Sequence, residues 1–205
     1  MLDKKTLLYL MSKMRKRDSQ THEHSYSAAG YAVECARYMH LPKDVIRRLY
    51  YGMLLHDIGK TQISLDILNK KEVLTKKERW KIEKHPEYGH AIVTKYNPHK
   101  DILDIILYHH ERWDGEGYPH KLKGEEIPFL ARIAAVADAY DAIVSNRPYK
   151  KAVTPEEAIQ EIIDHAGTQF DPQIADNFCR AFEKRTKRQT AMWTVNNWQK
   201  KEVIM

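Results

Sequence analysis

Two clusters carry residue types that do chemistry together: His56-Asp57-Ile58-Gly59-Lys60 and, further along, the unbroken stretch from His109-His110-Glu111 through Asp114-Gly115-Glu116-Gly117 to Tyr118-Pro119. Adjacent histidines supply neutral nitrogen ligands, and a His-Asp pair puts a nitrogen and an anionic oxygen at one point in space. Glycines beside them let backbone approach a bound molecule closely. Such a set points to metal binding and hydrolysis of a phosphodiester. That bond is anionic and slow to break, so a catalyst must make hydroxide at neutral pH, hold it in line with the leaving oxygen and neutralise phosphoryl charge. Two bound metal ions perform all three tasks. An isolated His-Asp at a helix end, followed by Gly and Lys, would be an ordinary C-terminal cap; the second cluster makes the chemical reading the stronger one.

These residues must be held by helices. Ala28, Tyr31, Ala32, Cys35 and Met39 recur at steps of three and four, predicting a helix over 21–38, and Val45, Ile46, Leu49, Met53 and Leu54 predict another over 44–56. Thr75 to Glu78 reads as a capping box. Further helices are expected over 102–110, running into the glycine turn, and over 127–145. Thr154-Pro155 and Asp171-Pro172 each place a cap residue before a proline suited to a first helical turn. Strand signals are scarce, so the fold class is all-α, a single helical bundle. We divide the chain into an N-terminal helix (1–17), a catalytic domain (18–184) and a basic C-terminal tail (185–205) that lacks periodicity.

Composition sets outer limits. With 205 residues and 42% hydrophobic content the chain can bury one core. Cys35 and Cys179, the only cysteines, are too few and too far apart for a disulfide framework or a thiolate zinc site, which points to a reducing cytoplasm. No segment has the apolar length of a membrane span. The formal charge of +6 favours phosphate-bearing ligands in general. Much of it sits in 13–17 and 184–188 without aromatic interleaving, so a nucleic-acid polymer is not the expected partner.

Read in order, the motifs resemble the HD-GYP domain, a subclass of the HD metal-dependent phosphohydrolases. They are Asp18-x-x-Thr21-x-x-His24, the His56 to Lys60 cluster, His85-Pro86-x-x-Gly89, the His109 to Pro119 stretch, Arg132-Ile133 through Asp138-x-x-Asp141, and Arg147-Pro148-Tyr149. The resemblance implies a helical bundle, a centre of two or three metals, and hydrolysis of cyclic di-GMP to linear pGpG and GMP by a metal-bridging hydroxide. It also implies the ligand set: His24, His56 and Asp138 on one ion, His85, His109 and His110 on the other, and Asp57 bridging.

Mixed nitrogen and oxygen ligands without thiolates fit two divalent ions, Fe or Mn before Mg, Ni or Zn. Asp138 lies among Ala134, Ala135, Val136, Ala137 and Ala139, where a carboxylate needs a partner such as a metal. Asp57 and Lys60 are the catalytic candidates. Lys60, Arg147 and Lys150 are candidates for substrate phosphates; the alternative, an ordinary surface cation, is strong for Lys150 and weaker for Arg147. Gly115, Gly117 and Tyr118 form a candidate substrate loop, with the tyrosine able to stack on a guanine or bond to phosphate. Asp141, one turn after Asp138, is placed to orient a ligand histidine or Lys60, and Glu111 is read with it as a supporting acceptor. His22, His40, His90, His99, His120 and His165 match no motif and read as surface or structural.

Two positions depart from the family pattern. Gln20 stands where members with a third metal tend to place glutamate, so two metals are expected; Ser27 replaces a frequent arginine. Besides the cyclic di-GMP hydrolase, two readings stay open: a hydrolase of another cyclic dinucleotide or nucleotide, and a weakly active binding scaffold. A homodimer or a regulatory protein partner is compatible with either end of the chain.

Overall fold

Short acidic caps set the frame. In the computed structural model, which describes residues 2–145 and 153–186, Asp3 accepts from the Thr6 amide at 2.9 Å and starts α1 (Lys4–Arg17). The three basic residues Arg15, Lys16 and Arg17 in its last turn suit the negative end of the helix dipole. Asp18 then accepts from the amides of Gln20 and Thr21, satisfying two orphan donors of α2 (Ser19–Tyr38). The buried face of α1 carries Leu7, Leu10, Met11 and Met14, and packs on α2, so the first helix shares the common core.

After α3 (Lys43–Leu55) a 3-10 turn, Ile58–Gln62, leads to the four-residue α4 (Leu65–Leu68). The expected capping box between Thr75 and Glu78 starts α5 (Lys76–Glu83), and α6 (His85–Thr94) and α7 (Lys100–Tyr108) follow. Then come α8 (Phe129–Val144), α9 (Pro155–Asp164) and α10 (Pro172–Thr186). No strand occurs among the described residues; one isolated bridge joins Ala166 and Phe170. The fold is all-α, as the periodicity predicts.

α2, α3, α7 and α8 are the centre of the bundle. Fully buried Ala28, Ala29 and Ala32 on α2 and Ala131, Ala134 and Ala137 on α8 keep side-chain bulk low on the two helices. Tyr31, Tyr140, Phe178 and Phe182 close the α2, α8 and α10 corner with ring centroids 4.6 to 5.6 Å apart, a geometry that favours aromatic pairs.

The helix limits differ from the sequence reading where a cap or proline intervenes. Asp18 moves the start of α2 back to Ser19, and His99, accepting from the Asp101 amide, starts α7 at Lys100. α8 begins at Phe129, not at 127, because Pro128 keeps an extended ψ of 135° and biases Ile127 before it toward extended backbone. His56 falls just outside α3, and His109 and His110 just outside α7.

Asp171 does double duty at the start of α10. It accepts from the Gln173 and Ile174 amides, and its other oxygen takes the Arg132 guanidinium at 2.6 Å, at 5% exposure. Asp171→Ala removes the cap and leaves Arg132 a poorly solvated charge without its partner. We expect a loss of about 3–4 kcal/mol of folding stability, measured by urea denaturation; a loss under about 1 kcal/mol would show that water replaces the carboxylate.

Candidate metal centre

Three ligand histidines stand at helix junctions, and their Nδ1 atoms face last-turn carbonyls. His56 Nδ1 lies 2.6 Å from Met53 O at the end of α3, and His85 Nδ1 2.7 Å from Ile82 O at the end of α5. His109 Nδ1 lies 3.0 Å from Ile106 O and 3.2 Å from Ile105 O at the end of α7. Last-turn carbonyls lack intrahelical partners, so each Nδ1–H donates to one of them. The tautomer is thereby fixed, and every Nε2 presents a lone pair. His24, inside α2, is tied differently: its Nδ1 donates to Asp141 at 2.5 Å.

These lone pairs converge. The ligand atoms of Asp57, His85, His109 and His110 lie within 4.8 Å of one another, as do those of His24, His56 and Asp57. Asp57 belongs to both groups. Asp138 Oδ1 is 2.8 Å from His24 Nε2 and 3.6 Å from His56 Nε2, which puts it with the second group. The structure thus brings together all seven proposed ligands, in the two sets that the family resemblance implies.

The arrangement suits cations. His85 Nε2 sits 3.2 Å from His109 Nε2 and 3.1 Å from Asp57 Oδ1. With both Nδ1 atoms protonated, these are acceptors facing acceptors. His56 Nε2 and Asp57 Oδ1 are buried without a hydrogen-bond partner, a costly state for polar atoms. Divalent ions would satisfy all of them, so the residues fit a metal centre.

Protonation agrees with this. Burial, then the neighbouring His110, His56 and His85, push the His109 imidazole well below its usual range, and burial with His85 brings His110 down to about 3. Burial opposes charge on Asp57, but Lys60, His56 and His85 outweigh it and keep the carboxyl well below the ordinary carboxylate range. Asp138 is held down likewise by His24 and His56 against its burial. Burial also disfavours a charged His24, yet Asp138 and Asp141 on either side raise it to about 10. In this geometry the His24 proton sits where a cation would sit.

Glycines allow the close packing. A Cβ on Gly59 would lie 1.9 Å from His85 O and 2.5 Å from the Gly89 amide nitrogen, so the 3-10 turn reaches α6 only without a side chain. At Gly117 a Cβ would meet the Arg112 nitrogen at 2.4 Å and Glu111 Cα at 2.6 Å. The substrate-loop reading of Gly117 therefore needs qualification: its close approach is to the chain's own backbone. Gly115 has φ +86°, a left-handed turn position.

The other predicted residues are placed as follows. Lys60 Nζ lies 2.6 Å from Asp57 Oδ2. Asp141 backs His24, resolving the two options left by sequence. Glu111 supports no ligand histidine directly; its buried carboxylate accepts from the His120 and Leu122 amides at 2.7 and 3.1 Å and fixes the loop. Tyr118 stacks on His110, with centroids 4.8 Å apart and planes 29° apart, so one ring face is already covered. Arg147 and Lys150 lie outside the described residues, as does most of the basic tail.

Sequence reasoning missed a second layer of contacts. The Arg112 guanidinium pairs with Asp114 at 2.6 and 3.1 Å, and the Trp113 and Asp114 amides donate to the Gln169 and Thr168 carbonyls. The loop is thus docked on the turn between α9 and α10. Beside the metal ligands lies a cavity of about 470 Å³, whose walls include Tyr118, Asp138, Glu161, His165 and Gln169. His165, read from sequence as surface or structural, is among them.

Comparison with known proteins agrees with the geometry. A family model described as HD domain matches residues 8–174. The chain belongs to the HD domain family. It is 38% identical over 175 residues to a cyclic di-GMP phosphodiesterase of Pseudomonas aeruginosa, covering 85% of this chain and 42% of that one. It is also 38% identical over 168 residues to one of Thermotoga maritima, covering 80% and 45%, and these relatives together with the DGEGYP loop make it an HD-GYP domain. A 3'3'-cGAMP-specific phosphodiesterase of Vibrio cholerae is 34% identical over 175 residues, with 84% and 34% covered. The chain spans less than half the length of these relatives. Among solved structures, the HD domain of the L. monocytogenes phosphodiesterase PgpH in complex with cyclic-di-AMP superposes with a TM-score of 0.64 at 19% identity, covering 90% of this HD chain and all of that one. That likeness shows the shared fold. No helix among the described residues is long and apolar enough to cross a membrane.

Asp141→Ala frees the His24 ring and removes the acceptor that raises its basicity. Loss of such an outer partner costs roughly 10–100-fold in metal affinity, and we expect that drop in a chelator competition with helical content unchanged. Equal affinity in mutant and parent would leave Asp141 a packing residue.

Proposed function

We propose that this HD-GYP domain is a metal-dependent phosphodiesterase that opens cyclic di-GMP to linear pGpG and cleaves that on to GMP. The observation that carries the reading is Asp57, shared by two donor groups at the side of a cavity of about 470 Å³. Support comes from the relatives named cyclic di-GMP phosphodiesterases at 34–38% identity. Water adds to phosphorus as the P–O3' bond breaks, and the leaving oxygen takes a proton. When bound, two divalent ions would lower the pKa of water and offset phosphoryl charge.

The chain's own residues do the rest. His24, His56 and Asp138 would hold one ion, His85, His109 and His110 the other, and Asp57 both. Fe or Mn suits this mixed set better than a closed structural zinc. Lys60, on Asp57, offers a cation to a phosphate oxygen entering the centre. Arg147 and Lys150 are proposed to contact the second phosphate. Tyr118 holds His110 in place and leaves its other face toward substrate. The reaction is placed in the cytoplasm, in keeping with two free buried cysteines. A second reading, hydrolysis of a mixed cyclic dinucleotide, is favoured only by the relatives specific for 3'3'-cGAMP.

The test is direct: metal-loaded protein is incubated with cyclic di-GMP, 3'3'-cGAMP and cyclic di-AMP, and products are separated by chromatography. Cyclic di-GMP should be consumed fastest, and absence of any cleavage would refute the reading. Asp57→Ala should abolish turnover and lower metal content at both positions, because no neighbouring carboxylate can replace a shared ligand; unchanged stoichiometry would remove the bridging role. Gln20 lies one turn before His24 and is exposed, and a neutral amide anchors a cation poorly. Metal analysis of anaerobically purified protein should therefore give two ions per chain, and three tightly held ions would refute this.

A further inference from the structure

One arm of the fold takes no part in the core. α4 and α5 bury no side chain, and Val73, Leu74, Trp80 and Ile82 are neither in the core cluster nor packed on it. α5 meets the bundle mainly through α6. Val73 is 90% exposed and Trp80 55%, a large apolar area for one short segment to leave in water. The arm is held from within. Lys70 donates to both oxygens of Glu78 at 2.8 Å, Thr75 caps the helix, and the Lys84 ammonium lies 5.6 Å from the centre of the Trp80 ring.

Its charge is as one-sided as its exposure. Residues 70–84 hold seven basic side chains and three acidic ones. Lys70 and Lys84 have carboxylate partners in Glu78 and Glu87. Lys71, Lys76, Lys77, Arg79 and Lys81 are exposed and form no ion pair among the described residues. Each alone is an ordinary solvated cation. Lys76 and Lys77, however, stand one turn before Trp80 and share its face, so the helix presents cations beside a large exposed ring. A surface complementary to it is anionic and in part apolar.

The chain itself carries such a surface. Residues 154–165 contain four acidic side chains and no lysine or arginine. Ala158 and Ile162 turn one face of α9 inward, and Glu156, Glu161 and Asp164 stand exposed on the outside with Ile163, which is 45% exposed. α5 and α9 are not packed on one another within the chain. Both border the same cavity, α5 through Glu83 and α9 through Glu161 and His165.

We propose that the protein associates as a twofold dimer in which the α5 arm of one copy docks on α9 of the other. In a twofold contact each chain presents both surfaces, so one pairing occurs twice and the assembly closes. Val73 and Trp80 leave water against the Ile163 side of α9, while the lysines meet carboxylates, which favours this partner over a face of like charge. Each copy then stands at the border of the other's cavity.

Sedimentation velocity of the full metal-loaded chain tests the contact. The parent should pass from monomer to dimer as concentration rises, and added salt should reverse this, because salt screens exposed charges. Lys77→Glu with Lys81→Glu, or Glu161→Lys with Asp164→Lys, sets like charges against each other and should raise the dimer dissociation constant roughly tenfold or more. Circular dichroism equal to the parent shows that each variant is folded. Mixing the two variants should restore a dimer with one copy of each, since opposite charges face each other again at both contacts. A parent that stays monomeric, a dimer that ignores either reversal, or variants that fail to pair on mixing overturns the proposal. A monomeric parent that sediments with phosphatidylglycerol vesicles overturns it as well, and assigns the arm to a lipid surface.

Discussion

Acceptor atoms packed against one another inside a protein repel, and a cation is what turns that repulsion into attraction. Five imidazole rings and two carboxylates converge around Asp57, with nitrogen lone pairs 3.1 to 3.2 Å from other acceptors. The bundle holds them there through the least expected donors. Three of the rings, those of His56, His85 and His109, spend their Nδ1 protons on carbonyls at the ends of α3, α5 and α7. One hydrogen bond thus closes a helix terminus and aims a ligand. Substituting a ligand histidine therefore removes a cap as well as a donor, and metal affinity and local stability are coupled through the same ring.

The ends of helices are easy to read from sequence, which is why much of the fold was legible; the proposed ligand set followed from the resemblance of the motifs to a family, and the structure brings those residues together. Thr75, Thr154 and Asp171 announce their helices by local chemistry, and the structure finds each as a cap. Asp138 was identifiable because a lone carboxylate in an apolar run needs a partner. What stayed hidden depends on long-range placement. Arg132 and Asp171 are 39 residues apart, and nothing in either segment points to the other. His165 matches no motif, and only the fold lays it beside the cavity. Gly117 looked like a glycine that makes room for substrate, whereas the atoms it makes room for belong to Glu111 and Arg112.

The loop from Glu111 to Pro119 shows why a site of this kind needs a rigid surround. Its carboxylate at Glu111 gathers two amides across the turn, Arg112 clamps Asp114, and two backbone bonds fasten Trp113 and Asp114 to the turn at Thr168 and Gln169. Tyr118 is thereby delivered onto His110. The turn between α9 and α10, which supplies no candidate ligand, thus helps to set where the candidate ligand His110 stands. Arg132 strengthens the link, because its guanidinium reaches Asp171 while lying over the rings of Trp113 and Phe129.

Charge along the cavity then follows a physical logic. When bound, metal ions together with Lys60 would give the inner end a positive field, and a field of that sign alone would accept any phosphodiester, since phosphate contacts carry no information about the base. Discrimination needs groups whose cost is repaid by one ligand and not by another. The candidate metal ligands stand on or next to α2, α3, α6, α7 and α8, and the turn after α9 both lines the cavity and fastens the loop that seats Tyr118 on His110, so the two ends of the cavity are mechanically linked.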